Sequence, residues 1–384
     1  MFEVLESIRA EDLGSRSLFG SDDGIRIRGM QRSPQYARAL TEAATLVGGV
    51  LEGKVPSWRL QEAMTVSDFP ILMGDILDRS LMARYQVIEP SYSQYVKLGK
   101  VRDFRPAKRK SLLGGRGLLQ PVAELAPYEA RPYGEGEYSI QVKKLGARMD
   151  FSWEDFINDD LDALRDAPND LALSARLTEE YEATQLFVDA NGPHATFFAG
   201  GNANIVTGNP ALSVPGLQTA MQVLAAQKDS DGNPINISAA ILVVPPALEI
   251  TARNILNALQ IELTEAGGTS NQKLIAQNWM KNAVRLVVNY QIPRIAKTAN
   301  GNTSWFLFQD PNVGRPALEM AFLRGHETPA LFMKSPNARR VGGGQVNPLE
   351  GDFDNDAIAY KVRHILGGAR MDPKSAVASN GSGS

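Results

Sequence analysis

The residues of this chain that could do chemistry are few and scattered. It has no cysteine, which removes thiol nucleophiles, thiolate metal ligands and disulfides together. Its histidines are His194, His326 and His364. None stands at a metal spacing such as H-E-x-x-H, and none has a carboxylate placed to make it a base, so each reads as a structural histidine. Asp352, Asp354 and Asp356 stand two apart, as the first ligands of a calcium loop do. The sixth position of such a loop is Ala357 rather than glycine and the twelfth is Arg363 rather than glutamate, so the pattern reads as a solvated turn before a strand. Gly114-Gly115-Arg116-Gly117 and Gly342-Gly343-Gly344 are glycine-rich. Neither follows a buried strand and opens a helix, as a phosphate cradle requires, so they read as a hairpin tip and a hinge. There is no Walker A pattern and no G-x-S-x-G elbow. No cofactor and no metal are expected.

The strongest signal is charge carried on an elongated pattern. From Lys97 to Arg116 the chain is basic, with Lys97, Lys100, Arg102, Arg105, Lys108, Arg109, Lys110 and Arg116 opposed by Asp103. After the glycines the return is acidic, with Glu124, Glu129, Glu135 and Glu137 against Arg131. It ends in strict alternation, Tyr138, Ile140 and Val142 on one face and Ser139, Gln141 and Lys143 on the other, which reads as β-strand. The whole, from about Lys97 to Phe151, is expected to be a two-legged β arm. A lone two-stranded hairpin is marginal in water, so the arm calls for a partner, and a second copy of the chain is the natural one. Base-stacking aromatics are nearly absent from the basic leg, Phe104 aside, so nucleic-acid binding fits it poorly. Oppositely charged legs suit inter-subunit salt bridges, which steer register more than they add affinity.

The elements that must position such an arm belong to an ordinary globular chain. Its 384 residues, 43% hydrophobic and 22% charged, are enough for a sizeable core and two or more lobes. A net charge of −3 gives no global field for nucleic acid. The N-terminal residues do not resemble a signal peptide, and no apolar run is long enough to span a bilayer, so a soluble cytosolic protein without a membrane partner is expected.

In chain order, residues 1–33 read as a polar arm. Pro34 to Leu51 has an apolar stripe at Leu40, Ala43, Ala44 and Val47 and is expected to be a helix. Ile71 to Tyr85 is a second helix, with Ser67 or Asp68 as cap and Pro70 in its first turn. A long helix is expected from Asn169 to Asp189, with Pro168 at its start, Leu173, Leu177, Tyr181, Thr184 and Val188 as its apolar stripe, and Asn191-Gly192-Pro193 as its stop. Residues 192–213 are loop-like. A compact α+β lobe follows. Pro215 opens a helix, Ala240 to Val244 is a buried strand, and Pro245-Pro246 launches another helix. Glu262 to Gln272 is a loop, and Val284 to Asn289 and Ser304 to Phe308 are strands with an Asn300-Gly301 turn between them. Ala317 to Leu323 and Ala330 to Met333 are further strands. The chain returns in an alternating strand from Ile358 to Leu366, ended by Gly367-Gly368, and the last dozen residues read as frayed.

This order of parts resembles the major capsid fold of tailed phages, the HK-ninety-seven type. Three stretches are most similar to the Mu-like major head subunits and their actinophage relatives: Ser67 to Leu72, the strand–Pro-Pro–helix unit from Ala240 to Ala258, and Tyr360 to Asp372. The resemblance implies an α+β chain with an N-terminal arm at 1–65, a peripheral domain at 66–96, 151–213 and 336–375 that contains the long spine helix, an extended E-loop hairpin at 97–150, an axial domain at 214–335, and a flexible tail at 376–384. It implies that the E-loop charges Lys100, Arg102, Arg105, Lys108, Arg109, Lys110, Arg116, Glu124, Glu129, Glu135 and Glu137 meet a neighbouring subunit. The loop with Glu262, Glu265, Gly267 and Gly268 would face the capsomer axis. It implies hexamers and pentamers, a separate scaffolding protein, a portal, decoration proteins in some cases, and packaged DNA inside. Assembly would take place in the host cytoplasm and the product would be the virion capsid. Some relatives join a lysine to an asparagine between subunits, and Lys108 or Lys110 stands where such a lysine would be.

Three functions follow from these readings. The first is a structural shell protein, a non-enzyme, built by repeating modest self-complementary contacts. The second is an encapsulin-type compartment of the same fold around an enzyme cargo. The third is an α+β enzyme, which would need clustered carboxylates, whereas Glu249, Glu262 and Glu265 fall on helix or loop surfaces.

Overall fold

The computed structural model describes residues 34–51, 54–55, 69–113, 134–152, 161–228, 241–258, 260–264, 273–278, 283–312, 316–334 and 357–383, with single positions at 232, 234, 235, 237 and 280. The elements begin with helices α1 (Pro34–Leu51) and α2 (Phe69–Val87). Strands β1 (Lys97–Val101), β2 (Ala107–Leu113), β3 (Gly134–Ile140) and β4 (Lys143–Ser152) precede the long helix α3 (Leu161–Gln185). Next come β5 (Val188–Asp189), β6 (Gly192–Pro193), α4 (Val214–Ala225), β7 (Ile241–Val244) and α5 (Glu249–Asn257). Then follow β8 (Gln260–Thr264), β9 (Lys273–Gln277), β10 (Arg285–Val288), β11 (Trp305–Phe308), β12 (Leu318–Leu323) and β13 (Ala330–Met333). The long β14 (Ala357–Arg370) and the short β15 (Ala376–Ser379) close the chain.

The described residues fall into two compact units. One draws on Met1–Glu89, Lys144–Leu177 and Thr328–Ile365. In it α1 packs on α2, burying Ala43 and Ala44 of the expected stripe. Leu81 and Tyr85 of α2, Leu171, Ala172 and Ala175 of α3, and Val362 of β14 form its core, with Met82, Met149 and Leu331 packed against them. β13 runs antiparallel to β14, Phe332 opposite Lys361 and Met333 opposite Tyr360, and β4 also pairs with β14. The Asp78 carboxylate accepts the Leu331 N–H at 3.3 Å, which ties α2 to β13.

The other unit draws on Pro90–Lys143, Thr178–Glu327 and Leu366–Ser384. Its central sheet has the order β10-β7-β11-β15. Every residue of β7, β11 and β15 is buried, because this sheet is covered on both faces. Leu217, Ala220 and Leu224 of α4 and Ala252 and Leu256 of α5 pack with Leu242, Val244, Trp305, Leu307 and Val377. The Ser213 hydroxyl caps α4 by accepting the Gly216 N–H at 3.2 Å, and Pro215 occupies the first turn. An aromatic cluster of Tyr95, Phe187, Phe306 and Phe308 fills part of this unit's interior, with edge-on and stacked ring pairs 4.8–5.6 Å apart. β1 lies parallel to β12, and β12 antiparallel to the end of β14, with Leu318 opposite Arg370.

Several expectations change. The spine helix starts at Leu161 and runs through Pro168 rather than after it, and it stops at Gln185. Ala190 and Asn191 turn the small β5–β6 hairpin, in which Gly192 pairs with Asp189, so Asn191-Gly192-Pro193 does not end the helix. Leu173 and Leu177 of the expected stripe are 43% and 38% exposed. The buried line is Leu171, Ala172, Ala175, Glu179, Ala183 and Thr184. Alanines let neighbouring elements approach closely, so this helix buries Ala172, Ala175 and Ala183 beside Leu171 and shows Leu173 and Leu177. Asn300 to Thr303 is a helical turn and not a hairpin turn, since β7 lies between β10 and β11. The Glu262–Gln272 loop is shorter, because Gln260–Thr264 pairs with Lys273–Gln277. Among the described residues β12 and β13 pair with neither β7 nor β11. The frayed tail is also corrected: Ala376, Val377, Ala378 and Ser379 pair with β11 and are buried. Short small-residue strands carry little sequence signal, which is why this one reads as a tail. The Gly342 hinge and the Asp352 to Asp356 turn lie outside the described residues.

Candidate functional site

The polar arm is present, in a narrower form. β2 and β3 pair antiparallel from Ala107 opposite Ile140 to Leu113 opposite Gly134. Among the described residues they form a two-stranded sheet with no third strand. β1 is not a leg of this hairpin, and β4 belongs to the sheet of β14, so the arm spans 107–140 rather than 97–150. Between β1 and β2, Asp103 accepts the Arg105 N–H at 3.1 Å in a tight turn, and Pro106 follows. The alternation at the arm's root holds: Ile140 and Val142 are buried while Glu137, Ser139 and Gln141 are exposed. Gln141 donates to the Phe104 carbonyl at 3.0 Å, joining the two ends of the hairpin's base.

Four charges of the arm, Lys100, Lys108, Arg109 and Glu137, are matched within the chain. Lys108 reaches Glu137 across the hairpin at 2.8 Å, with both side chains in water. Hydrogen bonding and attraction from Glu137 hold the Lys108 ammonium above its usual pKa, which keeps it protonated. That is the opposite of what a nucleophilic lysine needs. Lys100 pairs with Glu327 at 3.1 Å. Burial alone would raise the Glu327 pKa, but hydrogen bonds from the Gly325 backbone and from Lys100 bring it below the ordinary value.

Arg109 makes the contact that anchors the arm. Its Nη2 and Nε donate to Glu319 Oε1 at 2.9 and 3.1 Å, and Nη2 also donates to the Lys100 carbonyl at 3.3 Å. The Glu319 side chain is only 4% exposed. It lies over Gly99, where a Cβ would stand 2.3 Å from Glu319 Oε1. Glycine at 99 therefore makes room for the carboxylate, the carboxylate needs a cation, and the hairpin's first strand supplies one. Of the remaining arm charges, Arg102 and Arg105 are exposed. Lys110 stands opposite Glu137 and Glu135 opposite Leu112 in the strand register. Arg116, Glu124 and Glu129 lie outside the described residues, as do Glu265, Gly267 and Gly268. Glu262 sits in β8 opposite Ile275.

A second set of polar contacts holds the segment that leads into β1. Tyr92 donates to buried Glu179 at 2.8 Å. Ser91 donates to Glu180 through both its backbone N–H and its hydroxyl, the latter at 2.8 Å. Burial pushes the Glu180 carboxyl up despite these hydrogen bonds. Asn289 donates to the Tyr95 hydroxyl at 2.8 Å and to Thr184 at 2.9 Å, and burial drives the Tyr95 hydroxyl far above its usual pKa. Sequence reasoning missed this network. Its one visible signal is Glu179-Glu180 on the inner side of a helix whose Leu173 and Leu177 face out.

Close backbone approach explains a further pair of residues. At Gly367 a Cβ would lie 2.0 Å from the Gln141 carbonyl oxygen, and at Gly368 one would lie 2.6 Å from Leu186. The Gly-Gly pair does not end β14, which continues to Arg370. It admits the arm's root. His194 lies 2.6 Å from the Arg370 guanidinium, and its pKa is lowered by burial and then by that charge. His364 packs edge-on against Tyr85, and His326 follows the end of β12. Among the described residues no three histidine or acidic side chains converge as a metal site, and no helix is long and apolar enough to cross a membrane.

The model of the phage capsid protein family matches residues 136–379, well over half of the chain's 384 residues. No curated protein matches in sequence. Among solved structures, that of Mycobacterium phage Bobi is 9% identical and covers 76% of this chain and 90% of its own, at a TM-score of 0.46. The head structure of Helicobacter pylori bacteriophage KHP40 is 12% identical, with coverage of 74% and 86% and a TM-score of 0.43. The holo-SrpI encapsulin complex from Synechococcus elongatus PCC 7942 is 13% identical, with coverage of 77% and 89% and a TM-score of 0.42. Likeness at this level leaves the assignment to the family match. That match takes in the return leg of the hairpin, Glu319, both glycines of β14 and the buried C-terminal strand. A phage capsid protein is a structural component of the virion that assembles with its own copies, and it is not an enzyme. By the match over 136–379, the chain belongs to the phage capsid protein family.

Proposed function

We propose that the chain is the major capsid protein of a tailed bacteriophage and forms, as hexamers and pentamers, the icosahedral head around packaged double-stranded DNA. The family match carries this reading, and the hairpin gives it a mechanism. A two-stranded ladder with exposed Lys108, Glu137 and Ser139 and no third strand gains order from a surface that covers it. In this reading the hairpin lies on a neighbouring subunit. Arg102, Arg105, Lys110, Arg116, Glu124, Glu129 and Glu135 supply the contacts, while Lys100, Lys108 and Arg109 chiefly hold the arm to its own chain. The segment between β8 and β9, with Glu265, Gly267 and Gly268, faces the capsomer axis. A separate scaffolding protein, a portal and decoration proteins complete the head, which assembles in the host cytoplasm.

The test is electron microscopy of the expressed full chain, alone and with its candidate scaffold. It is run beside a variant in which a short glycine turn replaces residues 110–137. The full chain should give closed shells. The variant should stay folded by circular dichroism and give none. Shells filled with a protein cargo in place of DNA would replace the phage reading with that of a cargo compartment. A chain that stays monomeric under every assembly condition would remove both.

A further inference from the structure

His194 joins an exposed turn to the end of β14. Its backbone N–H donates to the Phe187 carbonyl at 2.9 Å. Its Nε2 lies 2.6 Å from Arg370 Nη2, and Arg370 Nε donates to the Leu186 carbonyl at 2.7 Å. Its Nδ1 faces the Thr196 N–H at 3.2 Å. Both ring nitrogens therefore face donors. A neutral imidazole can accept from Arg370 at Nε2 and keep its one proton on Nδ1. An imidazolium donates at both nitrogens and accepts at neither, so it has no place beside the guanidinium. The charged groups that act on the ring are Arg370 from β14 and Asp189 from β5. The Asp189 carboxylate is engaged by the turn itself, accepting the Asn191 N–H at 2.7 Å and the Ala195 N–H at 2.9 Å.

We propose that His194 is a pH-operated catch: on gaining a proton its ring leaves Arg370, and residues 194–196 open while the rest of the unit stays folded. The opening is bounded on both sides. Upstream, Lys297 donates its backbone N–H to the Ala190 carbonyl at 3.1 Å. Downstream, the side-chain amides of Asn202 and Asn204 hold the Phe197 carbonyl at 3.0 and 2.9 Å, and buried Phe198 packs against Phe306 with ring centroids 5.6 Å apart. Between these ties Ala195 and Thr196 are exposed, and the imidazole is what fastens them to β14. Histidine is the side chain whose charge changes between neutral and mildly acidic pH, so the catch works in the range where the carboxylates stay ionised.

Hydrogen exchange of the full chain tests this, read by mass spectrometry over peptides of residues 190–199 and over peptides of β7 and β11. Rates are compared at pH 7 and pH 5 after correction for the intrinsic dependence on pH. Opening of the 190–199 segment should rise roughly tenfold over this interval, with β7 and β11 unchanged. His194→Gln, whose amide oxygen accepts from Arg370 at every pH, should abolish the step. Arg370→Gln, whose amide oxygen can accept from the imidazolium, should shrink it. A step that persists in His194→Gln would overturn the proposal. So would an equal loss of protection in β7 and β11, which would mean global unfolding, or a 190–199 segment unchanged down to pH 5.

Discussion

Replacing Arg109 with alanine isolates the anchor of the arm. The guanidinium is the cation within salt-bridge distance of Glu319, whose side chain is 4% exposed. Removing one partner of a buried ion pair costs about 3–5 kcal/mol, because the remaining charge stays out of water. Arg109 is itself 34% exposed, so water screens one side of the pair and the expected loss is about 2–3 kcal/mol. Urea unfolding followed by fluorescence would read this as a lower midpoint at unchanged slope. Adding Glu319→Gln should recover most of the loss, since a neutral amide in the same place needs no cation. Lys108→Ala breaks a pair exposed on both sides, where solvent screening leaves little net stabilisation. It should leave both the midpoint and shell formation near those of the parent. Reversing Lys108, Arg109 and Lys110 together would mix an anchoring effect with any effect at a neighbour, so the single changes are the informative ones. A loss below about 0.5 kcal/mol for Arg109→Ala, or a double variant no better than the single, would refute the reasoning.

Three further outcomes follow from the packing. Gly367→Ala, whose Cβ would meet the Gln141 carbonyl oxygen at 2.0 Å, should cost about 3 kcal/mol or more, whereas Gly200→Ala, with open space around it, should be near neutral in the same unfolding assay. Deleting residues 376–384 removes a buried strand from β11; Val377 alone contributes about 1.5–3 kcal/mol, so the truncated chain should lose its cooperative melting transition, and a tail that could be removed without effect would contradict the buried strand. His194 has a folded pKa below the ordinary 6.5, from burial first and the Arg370 charge second, against a smaller opposing pull from Asp189. Between those two values the unfolded chain binds the extra proton, so stability should fall as pH drops from 7 through 6, and His194→Gln should remove that dependence from the melting curve.

The parts of the fold legible in the sequence are those governed by local rules. Pro34–Leu51, β7, β11 and β13 follow from apolar spacing, proline placement and short β-branched or aromatic runs. The arm was legible because alternation at Tyr138, Ile140 and Val142 and the switch in charge are both local patterns. What could not be read there is pairing. Lys97 to Val101 looks like a continuation of the basic leg, yet its partner is β12, more than two hundred residues away in sequence. The same holds for Ala376 to Ser379, which contain no large apolar residue to mark them as core. The α3 stripe failed because hydrophobicity alone ranks leucine above alanine, while close packing prefers the alanine side. Glu319 reads as an ordinary acidic residue until Gly99 and Arg109 are placed beside it.

These long-range contacts give the arm a firm root. Tyr92, Ser91 and Tyr95 hold the approach to β1 through Glu179, Glu180 and Asn289. Arg109 holds the first strand of the hairpin to β12, and Gly367 lets its last strand run on against β14. A hairpin fixed at its base loses less freedom when it meets a neighbour than one free at both ends, so more of the contact energy goes into association. The same arrangement explains why acidic residues are buried in a protein with no catalytic task. Each charge is expensive to bury alone, and each is matched by a donor from a segment distant in sequence, so the hairpin's root is fixed only once the unit around it has folded. The arm is therefore presented only by a folded subunit, and in the proposed reading a partly folded chain has no firmly rooted hairpin with which to enter a shell.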